Sequence, residues 1–162
     1  MYVWTASANE RIYKNTRILR TSKNFLSLES AKNAFVSGQI LLRDIAPFDI
    51  LNVKVNGDFK CDVFYQKYNV FNDGTPYPDE LLYLEHVDKL SVLSNSTQGV
   101  WLSFFIPSDN NCGTYYLSAE VETTAGIYTV PIHIYVYNVV IPDSGKTQYQ
   151  VNRCGRYSVP YD

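Results

Sequence analysis

From Leu51 onward the apolar residues recur at every second position, the rhythm of a β-strand that buries one face. Leu51, Val53 and Val55 alternate with Asn52, Lys54 and Asn56, which predicts a strand with that apolar set on one side, and Asn56-Gly57-Asp58 supplies a turn after it. Cys61 to Val70 is rich in aromatic residues and predicts a second strand, closed by the turn formers Asn72-Asp73-Gly74-Thr75-Pro76. Val100 to Ile106 is almost continuously apolar and contains Trp101, the pattern of a central strand buried on both faces. Tyr115, Leu117, Ala119 and Val121 alternate with Tyr116, Ser118, Glu120 and Glu122. After a turn around Ala125-Gly126 the returning strand carries Tyr128, Val130, Ile132, Ile134 and Val136 on one face, a hairpin. Its other face carries Thr129, Pro131, His133, Tyr135 and Tyr137, and Pro131, which has no N–H to give a ladder, places this strand at an edge or at a bulge.

In the N-terminal third, Phe35 to Arg43 is the one clear strand, and along the chain only Leu28 to Asn33 and Asp79 to Leu84 could make a helical turn. With so little helix, alternating faces are buried by packing one sheet on another. The expected class is all-β, an antiparallel two-sheet β-sandwich of immunoglobulin- or jelly-roll-like type over residues 1–142, followed by an exit segment over 143–162.

Composition narrows the function classes. Hydrophobic residues make up 46% and charged residues 19% of a 162-residue chain, enough for one core and too apolar for disorder. A net charge of −2 without a Lys/Arg run argues against a nucleic-acid partner. The apolar stretches Val100–Pro107 and Val130–Pro142 fall short of the roughly 20 residues that cross a bilayer, so no membrane partner is expected. The opening Met-Tyr-Val-Trp has neither basic start nor apolar h-region, so no signal peptide is expected there. Cys61, Cys112 and Cys154 are far apart and odd in number and read as ordinary thiols, with one bridge plus a spare as the alternative.

Candidate chemistry is sparse. His86 and His133 are the two histidines, isolated from each other, and no Gly-x-Ser-x-Gly elbow occurs, so nucleophilic catalysis has no residue set and no catalytic residue is expected. Metal ligands need clustered His, Cys or carboxylates, so neither metal nor cofactor is expected. Glu120 and Glu122 lie about 7 Å apart along a strand, within the range of paired glycosidase carboxyls, but also read as the polar side of a half-exposed strand. Asp79-Glu80 reads as the start of a turn or helix. Tyr116, Tyr135 and Tyr137 are expected to point outward, where their rings could stack on sugars, making them the candidate carbohydrate-binding residues.

Six segments taken in order add a resemblance: Val3-Trp4-Thr5-Ala6-Ser7 with Glu10-Arg11-Ile12; Ser27 to Asn33 leading into Ser37-Gly38-Gln39-Ile40; Pro76-Tyr77-Pro78-Asp79-Glu80-Leu81-Leu82; Gln98-Gly99-Val100-Trp101 running to Ile106-Pro107; Cys112-Gly113-Thr114-Tyr115; and Val136-Tyr137-Asn138-Val139-Val140-Ile141-Pro142. Over about residues 2–142 the chain resembles the N-terminal β-sandwich domain of bacterial glycoside hydrolase family 123-like proteins of the DUF4091 type. The resemblance implies a C-terminal (β/α)8 barrel as partner, a central Trp strand, a Tyr-Pro-Asp loop crossing between sheets, and an Ile-Pro segment handing over to the barrel. It also implies activity similar to β-N-acetylgalactosaminidases that use the substrate's acetamido group as internal nucleophile. The Asp-Glu pair of that chemistry belongs to the barrel, and no position here matches it. The expected role is therefore a non-catalytic accessory domain framing a barrel, with a carbohydrate-binding module as the alternative.

Overall fold

A computed structural model describes residues 1–72 and 74–143. The strands are β1 (Tyr2–Ser7), β2 (Leu26–Lys32), β3 (Ala34–Arg43), β4 (Phe48–Asn56), β5 (Cys61–Val70), β6 (Pro76–Tyr83), β7 (Leu90–Val92), β8 (Thr97–Ile106), β9 (Gly113–Thr123) and β10 (Gly126–Val140). One turn of 3-10 helix, Leu84–His86, follows β6. They form two five-stranded sheets, β1-β3-β8-β5-β6 (the first sheet) and β2-β10-β9-β4-β7 (the second), packed as an all-β sandwich.

The alternation seen in the sequence makes the interface between them. Ile40, Leu42, Val100, Leu102, Phe104 and Ile106 of the first sheet meet Ile50, Val121, Ile132, Ile134 and Val136 of the second, all fully buried. β9 and β10 are joined through Thr124-Ala125, and Thr123 closes this tight turn by donating its hydroxyl to the Gly126 carbonyl at 2.9 Å. Pro131 sits just before β2 begins to pair at Ile132↔Leu26, so its missing N–H falls where β10 still has an open side.

Several expectations are corrected. Leu28–Asn33 is not a helical turn: Leu26, Leu28 and Ser30 are buried while Ser27 and Glu29 are exposed, the period of a strand whose third inward residue is polar. β2 also runs parallel to β10, a direction that periodicity cannot encode, in an otherwise antiparallel sandwich. Asp79–Leu84 lies almost entirely in β6, whose prolines are tolerated because this strand is the sheet edge, so the Tyr-Pro-Asp segment is a strand and not a crossing loop. Leu51 does not share a face with Val53: a bulge between Ile50 and Asn52 turns Leu51 to solvent, and Phe48 and Ile50 take the inward positions before it. β8 is central as expected, but Trp101, Ser103 and Phe105 on its outer side are only half-buried, so one face alone is sealed.

The N-terminal third holds the largest addition. Residues 8–25 fold back over the outer face of the first sheet and cover Trp4, Ala6, Ile12 and Leu41, a second apolar cluster outside the sandwich. That cover explains why Ile40, Leu41 and Leu42 are all buried on one strand. Thr97 and Arg43 donate to the carbonyls of Lys14 and Thr16, and the Thr5 backbone N–H donates to the Lys23 carbonyl at 2.9 Å where the segment returns.

At the opposite edge, β7 is clipped to β4 by Asp49, whose carboxylate accepts from the Ser91 hydroxyl at 2.7 Å and the Lys89 ammonium at 3.2 Å. The Ser91 hydroxyl first, and Lys89 after it, hold this carboxyl below its ordinary value of 3.8. A carboxyl depressed by folding stabilises above its unfolded pKa and loses that contribution as pH falls through the folded value. We expect the protection of the Leu90–Val92 amides, taken relative to their intrinsic exchange rates, to fall on acidification below about pH 4, and the fall to be absent in Asp49→Asn; identical protection profiles for both proteins would refute the clip.

Candidate functional site

The three tyrosines expected to point outward all stand on the outer face of the second sheet. Tyr116 of β9 lies opposite His133 of β10 with ring centroids 5.0 Å apart at 78°, and Phe25 flanks the other side of His133 at 5.4 Å. Tyr135 and Tyr137, two positions apart on β10, meet edge to face at 4.8 Å and 82°, and Tyr137 donates its hydroxyl to Glu29 at 2.7 Å. That acceptor, a carboxylate, raises the Tyr137 phenol above its ordinary value. Rings nearly perpendicular cannot both lie flat on one sugar, so this face offers single stacking surfaces, chiefly Tyr116 at 75% exposure. Glu120 and Glu122 share the same open face, beside Lys54 and Asn52 of β4, exposed and outside any cleft with each other. His86 is exposed next to Glu85.

A different set of residues converges on the outer face of the first sheet. In register across β3, β8, β5 and β6 stand Gln39, Trp101, Phe64 and Tyr83, with Phe64 and Tyr83 in ring contact at 4.4 Å. Next to this row, Ala8–Ile12 form one wall of a groove of about 340 Å³ floored by Trp101 and Gln66, and Pro78, Asp79 and Leu81 form the other. A second depression of about 260 Å³ shares Arg11, Pro78 and Asp79 and adds Phe71 and Tyr77. Asp79 reaches both because β6 bulges there: Lys67 pairs with Glu80 and Tyr68 with Pro78, leaving Asp79 as the extra residue. The Arg11 guanidinium lies 5.9 Å from the centroid of the Tyr77 ring, a cation–π contact.

Buried amides fix the first wall. Gln39 donates to the carbonyls of Ser7 at 2.6 Å and Glu10 at 2.8 Å, and accepts from the Gln66 amide. Gln98 in turn donates to the Gln66 carbonyl at 2.8 Å. Gly99 makes room for the Gln66 side chain: a Cβ on Gly99 would stand 2.1 Å from the Gln66 Oε1. Among the described residues no buried side-chain polar atom lacks a partner, so the network is complete and rigid. Glu10 is held as well, by the backbone N–H of Ser7 at 3.0 Å.

Periodicity could not reveal this groove, because Glu10, Gln39, Gln66, Asp79 and Trp101 come from five separate segments. The available signal was glutamine inside otherwise apolar or aromatic strands, at Gln39 and Gln66, with Gln98 at the start of β8.

Larger clefts lie elsewhere. One of about 390 Å³ lies beneath residues 8–25, between Trp4, Leu41, Phe25 and Arg17; another of about 400 Å³ opens between Leu51–Val53 of β4 and the 3-10 turn. Among the described residues no group of three or more His, Cys, Asp or Glu is placed to hold a metal, and no helix is long and apolar enough to cross a membrane. Cys61 and Cys112 carry free thiols, and Cys154 lies outside the described residues, as does most of the expected exit segment 143–162. Burial pushes the Cys61 thiol up to about 12, so at pH 8 only about one in ten thousand Cys61 groups is a thiolate. After brief iodoacetamide treatment at pH 8, peptide mapping should find exposed Cys112 alkylated and Cys61 unmodified; equal labelling of the two would contradict the buried position of Cys61.

No protein-family model and no curated protein matches the sequence. Among solved structures, the chain is similar to a family 123 glycoside hydrolase from Clostridium perfringens, an enzyme of glycolipid glycan hydrolysis. The TM-score is 0.69 at 17% identity, over 87% of this chain and 28% of that one. Weaker likenesses are a PapD-like domain of human CEP192, with TM-score 0.36 at 8% identity over 73% of this chain and 84% of that one, and the CooA pilin subunit of enterotoxigenic Escherichia coli, with TM-score 0.37 at 10% identity over 86% and 99%. The first likeness establishes a shared fold, in which this chain spans a little over a quarter of the hydrolase's length.

Proposed function

We propose that the chain is a non-catalytic accessory domain of a glycoside-hydrolase-like protein, packing on a (β/α)8 barrel and framing its cleft. The observation that carries this reading is the extent of the likeness: nearly the whole sandwich superposes on a minor part of a family 123 hydrolase. The distribution of reactive groups is consistent with it. Glu120 and Glu122 lie on an open strand face, and Glu10 and Asp79 are exposed at the rim of a groove, whereas a carboxyl acting as general acid needs a desolvating pocket. The 162-residue chain is expected to release no nitrophenol from p-nitrophenyl 2-acetamido-2-deoxy-β-galactoside, and the reading frame beyond the codon for Asp162 is expected to encode a barrel. Steady turnover by the purified chain, or a frame that encodes none, would overturn the proposal.

A second reading, a carbohydrate-binding module using Tyr116, Tyr135 and Tyr137, is favoured by the placement of all three rings on one sheet face. The steep angle between Tyr135 and Tyr137 limits it to contacts centred on Tyr116.

A further inference from the structure

We propose that the groove floored by Trp101, on the face of the sandwich opposite the three tyrosines, binds a neutral saccharide of two rings. This inference is independent of whether a barrel packs on the domain.

The shape sets the size of the ligand. The depression over Trp101 and the one beside Tyr77 have about 340 and 260 Å³ and adjoin at Arg11, Pro78 and Asp79, so a ligand of two rings could place one ring in each. Each depression has an aromatic residue, Trp101 in the first and Tyr77 in the second. A pyranose has a flat patch of C–H bonds on its ring and a belt of hydroxyls around it, so a site for it needs an aromatic surface below and polar groups at the edge. The edge here is made of Asn9, Glu10, Arg11 and Asp79. Carboxylates accept from hydroxyls, and the guanidinium donates to hydroxyl or amide oxygens.

Charge and rigidity narrow the class. Glu10 and Asp79 against Arg11 leave the rim one negative charge in excess, which disfavours sugars that carry a carboxylate or sulfate. A proline-rich peptide would also find aromatic rings, but it has few groups for two carboxylates and would leave them facing apolar rings. The walls are fixed before any ligand arrives. The Gln39–Gln66 amides hold Ser7 and Glu10 from below, and the β6 bulge holds Asp79. Little ordering is therefore lost on binding.

The test uses the full 162-residue chain and saturation-transfer NMR with lactose, cellobiose and N,N′-diacetylchitobiose, with 3′-sialyllactose and a proline-rich decapeptide as comparators. At least one neutral disaccharide should receive transfer at about 10 mM, and its affinity should fall about tenfold in Trp101→Ala. Because Trp101 is half-buried, Arg11→Ala and Asp79→Ala, both at exposed positions outside the core, serve as further variants, and each should weaken binding by about threefold or more. Triple replacement of Tyr116, Tyr135 and Tyr137 by alanine should change it by less than about twofold. The proposal fails if no neutral disaccharide binds, if only the acidic sugar or the peptide binds, or if binding survives the Arg11 and Asp79 variants and is lost with the tyrosines.

Discussion

Phe104→Ala should lower the unfolding free energy by about 3–5 kcal/mol, the range for removing a large aromatic side chain from a packed core. Phe104 is the largest fully buried side chain, on the central strand of the first sheet, paired with Val36 of β3 and Cys61 of β5 and turned toward the second sheet. The main cause of the loss is that both sheets are already closed around the ring. Its neighbours are held by their own strand pairing and cannot collapse far into the space without breaking register, so most of the cavity stays open. Guanidinium titrations would show the midpoint falling with the slope unchanged. Tyr116→Ala, at 75% exposure, serves as the control and should move stability by less than about 0.5 kcal/mol. A Phe104→Ala loss below about 1 kcal/mol would mean that the two sheets do not meet there.

That core was legible in the sequence wherever one strand could be read by itself. β5 spans Cys61–Val70 as expected, and the β9–β10 hairpin puts Val121, Ile132 and Ile134 inward as the period-two pattern requires. Failures came where a neighbouring segment decides the outcome. Leu41 is buried because residues 8–25 lie over it, and the Leu51 bulge is a matter of how β4 pairs with β9. β2 is hidden because Ser30 takes an inward position among leucines, and β6 because its prolines read as turn formers when they in fact mark an edge. The tyrosines could be placed on one face from alternation alone. The Trp101 groove could not, since its walls and floor meet only through glutamine amides that look like surface residues in the sequence. Several of the segments that carry the family resemblance, Glu10-Arg11-Ile12, Gln39, Pro78-Asp79 and Gly99-Val100-Trp101, come together at this place.

Gln39→Ala should cost about 2–4 kcal/mol, large for a polar residue, and should change the groove as well as the stability. The side chain has no exposed surface and makes three hydrogen bonds, two donated to the carbonyls of Ser7 and Glu10 and one accepted from Gln66. After truncation the two carbonyls can turn to water, because Ser7 and Glu10 are exposed, so they contribute little to the loss. Gln66 cannot do the same. Its amide is buried against Gly99 and beside Tyr68, and an orphaned donor there costs about 1–3 kcal/mol, with the vacated volume adding roughly another 1. Gln39→Glu should be no better, since a carboxylate has no N–H for either carbonyl. The first local sign should be faster amide exchange across Glu10–Lys14, with a change in tryptophan fluorescence as the wall over Trp101 loosens, before global unfolding is reached. A variant that keeps wild-type exchange in that segment and loses less than about 0.5 kcal/mol would show that the wall stands without its amide support.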